Sequence, residues 1–303
     1  MVKSVLQKLF SISSTIFILS GLFMLNLVSC TSSNDLNDKT TVAVSILPQA
    51  GFVEAIGGDK VKVVVMVPPG ASPHTYEVTP DQMVALSNAR IYAKVGSGVE
   101  FELAWMDKLI AVNKSMLIVD CSQEIPLLEM TEEENDVEHQ HEGLDPHIWL
   151  SAKNVKIMAR HICDGLVQID VQNKSYYEAN LAGYLVELDK LDAELVADLA
   201  DVVKRDFIVV HPSFGYFAHD YNLNQISLEQ GGKEPEADYM VRLINEAKEH
   251  SIKVVFVSPQ YNTKSAEMIA QEIGGEVVII DPLAKDFVGN MHAIEAAVKQ
   301  SMQ

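Results

Sequence analysis

Seven short runs of apolar, mostly β-branched residues recur along the chain, at Thr41 to Leu47, Val61 to Val67, Ile91 to Val95, Met116 to Val119, Phe207 to Val210, Lys253 to Val257 and Glu276 to Ile280. Helical patterns stand between them, at Gln49 to Ile56, Asp81 to Asn88, Phe101 to Val112, Ala152 to Leu166, Ala237 to His250 and Lys264 to Ile273. A strand that is apolar on both faces must be covered on both, and alternation with helices is how a parallel sheet achieves that. The fold class expected is therefore α/β.

One segment breaks the alternation. From Tyr176 to about Lys204 there is no proline and a single glycine, Gly183, while Tyr177, Leu181, Tyr184, Leu188, Leu191, Leu195 and Leu199 recur at steps of three or four. That spacing predicts one helix with one apolar stripe, roughly 40 Å long for about 28 residues, more than a crossover needs. A coiled-coil partner would use the same stripe, but the stripe is short for that and both flanks read as complete α/β units. The expected organisation is a lobe over residues 42–172, a linking helix over 173–204 and a second lobe over 205–303. The two lobes would be similar, each a parallel-type sheet covered by helices, facing one another across a cleft.

The N-terminus has a different character. Lys3 and Lys8 precede an apolar run from Ser14 to Val28, and Leu27-Val28-Ser29-Cys30 closes it before a polar stretch. A positive end, an apolar middle and a small residue at the processing point are the parts of an export signal. The run is shorter and less continuous than the roughly 20 residues a spanning helix wants. Residues 1–29 are therefore expected to be a signal peptide, Cys30 the lipid attachment site as in bacterial lipoproteins, and residues 30–41 a tether. The body would sit outside the cytoplasm, lipid-anchored to a membrane on its periplasmic side or outer face.

The chain has 23 basic and 42 acidic residues, a net charge of −19, and loss of Lys3 and Lys8 with the signal makes the body more acidic still. Such a balance opposes nucleic-acid binding and favours cations. With Cys30 lipidated, Cys121 and Cys163 are left, either as a disulfide or as two buried thiols. Neither has the close spacing of a thiolate zinc site.

Three histidines each touch a proline. His74 lies in Pro68-Pro69-Gly70-Ala71-Ser72-Pro73-His74, ahead of Thr79-Pro80, which reads as a helix cap followed by proline at the first helical position. The prolines restrict this loop, so it can hold an imidazole at little ordering cost. His147 lies in Asp145-Pro146-His147, before the cap candidate Ser151, and Asp145 is placed to accept its far imidazole proton. His211 follows Phe207-Ile208-Val209-Val210, where a buried strand emerges, the usual mouth of an α/β site. Asp281 follows Val277-Val278-Ile279-Ile280 in the same way. Two histidines before the long helix, then a histidine and a carboxylate after it, form a candidate metal set bridging the lobes. Glu77 is a second candidate partner for the imidazoles.

With these residues in view, the chain resembles the metal-binding receptors of ATP-driven importers, in their zinc and manganese branch. The resemblance rests on Pro73-His74-Thr75-Tyr76-Glu77, Asp145-Pro146-His147-Ile148-Trp149, Val210-His211-Pro212-Ser213-Phe214-Gly215-Tyr216 and Asp281-Pro282-Leu283, and covers nearly all of residues 41–300. It implies a metal in the cleft held by His74, His147, His211 and Asp281, and a monomer that delivers it to a membrane permease driven by a cytoplasmic ATPase. Manganese-preferring relatives often carry glutamate at the position of His211, and imidazole suits zinc better than manganese. Zn²⁺ is the transported ion expected, with Mn²⁺ as the alternative.

Residues 132–142 form an acidic run containing His139 and His141. Zinc-specific relatives carry a longer histidine-rich insertion there, so these two are candidates for an auxiliary metal loop, although a solvated charge run explains them equally. A secreted zinc hydrolase is the enzymatic alternative, but no His-Glu-x-x-His helix is present, and a shell of four protein ligands leaves no position for an activated water. Gly96-Ser97-Gly98 lacks the third glycine of a dinucleotide fingerprint. The expectation is a binding protein without catalysis.

Overall fold

Among the described residues, eight strands and nine α-helices build the body, one strand and two helices more than the apolar runs announce. The structure is a computed structural model that describes residues 39–130, 143–229, 233 and 235–302. The signal, Cys30 and the loop bearing His139 and His141 lie outside the described residues. No helix among the described residues is long and apolar enough to cross a membrane.

The first sheet contains β1 (Thr40–Val44), β2 (Val61–Val65), β3 (Ile91–Lys94) and β4 (Leu117–Asp120) in the order β2-β1-β3-β4. The second contains β5 (Asp206–Val209), β6 (Asn224–Ser227), β7 (Val254–Val257) and β8 (Glu276–Ile279) in the order β6-β5-β7-β8. All six pairings are parallel. Each sheet thus places its first strand second in the row and its second strand at the edge, so the two lobes share one topology. β6 escaped the sequence reading because Asn224-Gln225-Ile226-Ser227 is polar, which an edge strand tolerates. β1 begins at Thr40, two residues inside the expected tether.

Between the strands run α1 (Leu47–Gly57), α2 (Pro80–Leu86), α3 (Glu100–Val112) and α4 (Ala152–Ile169), then α5 (Lys174–Leu199), α6 (Gly215–Asp220), α7 (Ala237–Glu249), α8 (Lys264–Ile273) and α9 (Phe287–Ser301). Both proposed caps are present. Gln82 N donates to Thr79 Oγ1 at the start of α2, where Pro80 has no N–H to leave unpaired, and Asn154 N donates to Ser151 Oγ at the start of α4.

The lobes are joined by α5, 26 residues and about 39 Å long. It ends at Leu199, before Lys204, where Arg205 donates from its guanidinium to the free carbonyls of Leu199 and Ala200. Its stripe behaves as its spacing predicts: Tyr177, Tyr184, Leu188, Leu191, Leu195 and Leu199 are buried and Leu181 is half-buried. The partners of this stripe are α4, α1 and α9 of the same chain rather than a second copy.

The larger of two apolar clusters runs through both lobes. It holds Val42 to Val44, Tyr92 and Ala93 of the first sheet, Phe207, Val209 and Phe256 of the second, and the α5 stripe between them. Phe52 of α1 packs edge-on against Phe287 of α9, with centroids 5.5 Å apart, and touches Tyr184 of α5. A smaller cluster, including Ile208, Leu243 and Ile269, lies wholly in the second lobe. Cys121 and Cys163 are free and buried, so the disulfide alternative is not realised; burial pushes both thiols up, that of Cys163 to about 11, and leaves them unreactive.

Candidate metal centre

Every group at the centre leaves the carboxyl end of a parallel strand or the turn that follows it. The chain beyond β2 carries His74, the turn after β3 leads to Glu100, and the segment beyond β4 and Gly143 carries Asp145 and His147. In the second lobe, β5 is followed by His211, β6 by Glu229, β7 by Gln260 and Tyr261, and β8 by Asp281. Placement at strand ends in facing parallel sheets is the general rule for α/β ligand sites.

His74, His147 and His211 converge, with one nitrogen of each lying within 4.8 Å of the others. Ring centroids are 4.6 Å apart for His74 and His211, 5.3 Å for His147 and His211, and 6.1 Å for His74 and His147. His147 and His211 are buried, whereas the His74 side chain keeps 22% of its exposure and marks the solvent side.

Each imidazole is backed by a carboxylate on Nδ1 at 2.8 Å: Glu100 for His74, Asp145 for His147 and Glu229 for His211. A carboxylate at Nδ1 fixes that nitrogen as the protonated one, turns Nε2 into the lone-pair donor and raises its basicity. The Nε2 atoms of His147 and His211 then face each other at 3.4 Å. Two lone pairs at that distance repel each other, and a cation between them would relieve the repulsion. Burial, reinforced by the charges of His74 and His147, holds the His211 imidazole well below its ordinary range, so it stays neutral and able to ligate. Burial alone would lift the Glu100 carboxyl, but its hydrogen bond and attraction to His74 bring it below the usual range.

The supports come from both lobes. His147 N and Nδ1 both donate to Asp145 Oδ1, and a side chain at Gly215 would place its Cβ 2.3 Å from Asp145 Oδ2, so the start of α6 must be glycine to approach so closely. Trp149, edge-on to His147, donates from Nε1 to Pro282 O at 2.8 Å across the cleft. Tyr261 stacks on His211 with centroids 4.8 Å apart and planes within 15°.

Asp281 lies beside this group rather than in it. Its Oδ1 accepts from Leu283 N at 2.9 Å and Gln260 Nε2 at 3.1 Å, and it borders an adjoining small cavity instead of the histidine cavity. Asp145 holds its imidazole as its position suggests. Glu77 is exposed, and the carboxylate on His74 is Glu100. Glu100 and Glu229 were missed because nothing local ties them to a histidine; only the ends of strands β3 and β6 bring them in.

Residues 42–300 match the family described as ZnuA, zinc-uptake complex component A, periplasmic. The chain belongs to this family. It is 29% identical to the high-affinity zinc uptake system protein ZnuA of Bacillus subtilis, over 89% of this chain and 88% of that one. A crystal structure of a ZnuA superposes with a TM-score of 0.82 at 44% identity, over 88% of this chain and 100% of the other. A ZnuA deletion mutant with zinc bound superposes with a TM-score of 0.81, also at 44% identity, over 88% and 99%. As a member of the ZnuA family the chain is an extracytoplasmic metal-binding receptor of the ABC-importer type, and not an enzyme. The hydrolase alternative has no support.

Proposed function

We propose that this receptor captures Zn²⁺ with His74, His147 and His211, and that Asp281 completes the shell once its carboxylate turns from Gln260. The observation that carries the reading is the trio of converging imidazoles, each with Nδ1 held by a carboxylate that does not itself face the ion. A resting donor set of neutral nitrogen suits zinc, whereas manganese favours carboxylate and water oxygen. Two of the similar proteins are described with zinc, a ZnuA deletion mutant with zinc bound and a high-affinity zinc uptake system protein.

On the same reading, residues 1–29 direct export, Cys30 takes the lipid and the following polar residues tether a lobe, a linking helix and a second lobe within reach of a membrane permease. The permease receives the ion and a cytoplasmic ATPase drives the transfer. His139 and His141 would collect zinc weakly, as an auxiliary to the main site.

Competitive titration of the metal-stripped protein with Zn²⁺ and Mn²⁺ tests the metal assignment. Zinc is expected to load at one ion per chain and to displace manganese; preferential manganese loading would overturn the choice of ion.

A further inference from the structure

Gln260 stands between the histidine centre and Asp281 and borders both of the small cavities there. One cavity, about 10 Å³, is lined by His74, His147 and His211; the other, about 40 Å³, is lined by Asp281 together with Ile46 and Pro68 to Gly70. Leu283 contributes to both walls. The orientation of the Gln260 amide follows from its neighbour, because a carboxylate accepts and cannot donate. The NH₂ group must therefore face Asp281 Oδ1, at 3.1 Å, which turns the carbonyl the other way. That carbonyl oxygen is buried and has no hydrogen-bond partner among the described residues. Leaving a buried carbonyl unsatisfied is costly, so its retention points to a function.

The Asp281 backbone is fixed on its far side. Asn290 Nδ2 donates to Asp281 O at 2.7 Å, Pro282 O accepts from Trp149, and Leu283 N closes a tight turn onto Oδ1. Turning of the Asp281 side chain is the remaining freedom, restrained at Oδ1 by the backbone N–H of Leu283 and by the amide of Gln260, the one of the two that substitution can remove.

We propose that Gln260 is a specificity-determining residue, whose amide withholds the Asp281 carboxylate from the histidine centre and so biases the receptor toward an ion content with imidazole nitrogen. This rests on the proposed zinc reading of the same three histidines. Zinc, accepting four ligands with nitrogen preferred, is held by the trio before Asp281 arrives. Manganese depends more on carboxylate oxygen and would meet a carboxylate already held through Oδ1. Gln260 acts through Asp281, as a positioning residue, and its effect is on the ratio of affinities rather than on zinc capture alone.

The test is a zinc-against-manganese competition on the metal-stripped protein for wild type, Gln260→Leu, Gln260→Ala, Asp281→Asn and the double variant Gln260→Leu/Asp281→Asn, with thermal unfolding as a check on folding. Loss of the amide donor is expected to lower the zinc-to-manganese preference by about tenfold, chiefly through tighter manganese binding, a change of the size by which partners of a metal ligand alter affinity, here with the opposite sign. The change should vanish in the Asp281→Asn background. An unchanged ratio in a folded Gln260 variant, or an equal change when Asp281 is already replaced, would overturn the proposal while leaving the zinc site intact. Failure of the wild type to bind zinc would instead overturn the reading on which it rests.

Discussion

At the scale of single residues, the centre works because three imidazoles are presented in one tautomer by three different carboxylates. Replacing Glu229 by Gln keeps the shape but removes the charge that makes His211 Nε2 a strong donor. Zinc affinity should fall about 10–100-fold, measured against a chelator of known affinity, and an unchanged affinity would show that the carboxylate has no part in tuning the ligand. A second expectation concerns acid. Burial first, and then the charges of His74 and His147, depress the folded-state pKa of His211 below its unfolded value. Below about pH 6.5 the unfolded chain takes up a proton that the folded metal-free protein refuses, so stability falls with falling pH, by at most about 1.4 kcal/mol per pH unit from this one group. Chemical denaturation from pH 7 to pH 5 should show a shallower fall for His211→Asn than for the wild type; parallel slopes would contradict this. The proline-framed histidines and Asp145 were legible in the sequence because their constraint is local. Glu100 and Glu229 were not, since they reach their imidazoles only through strand order, and neither the sheltered position of Asp281 nor the role of Gln260 leaves a mark in a linear pattern.

At the scale of elements, α5 carries the joint. Its predicted stripe is the buried one because a 3.6-residue period is visible in any sequence long enough to repeat it, whereas six-residue α6 is too short and β6 too polar to be seen. The overlooked α9 did carry a period, in Phe287, Met291, Ile294 and Val298. Leu188 is wholly buried at the middle of α5, facing the helices that cover both lobes. Leu188→Ala should destabilise the metal-free protein by about 2–5 kcal/mol in urea unfolding. A loss below about 1 kcal/mol would mean that the stripe is not packed at its centre.

At the scale of the whole molecule, two sheets of identical strand order share one apolar core that runs from β1 through α5 to α9. The shared core joins the lobes, and the metal ligands lie in the strand-end loops at its edge. Unfolding of the metal-free body is expected to follow one cooperative transition, with fluorescence and circular dichroism coincident; separated transitions would show that the lobes fold independently. The two-lobed α/β plan was legible from the alternation of runs, while the common strand order was not, because order within a sheet is decided by how the crossovers pack. The central claim is that imidazoles from both lobes hold one zinc ion, and the most direct measurement is the metal content and zinc affinity of metal-stripped residues 31–303 beside the same protein with His211→Ala. One tight zinc per chain, lost in the variant, is the result the account predicts; no tight zinc in the wild type, or equal binding in the variant, would contradict it.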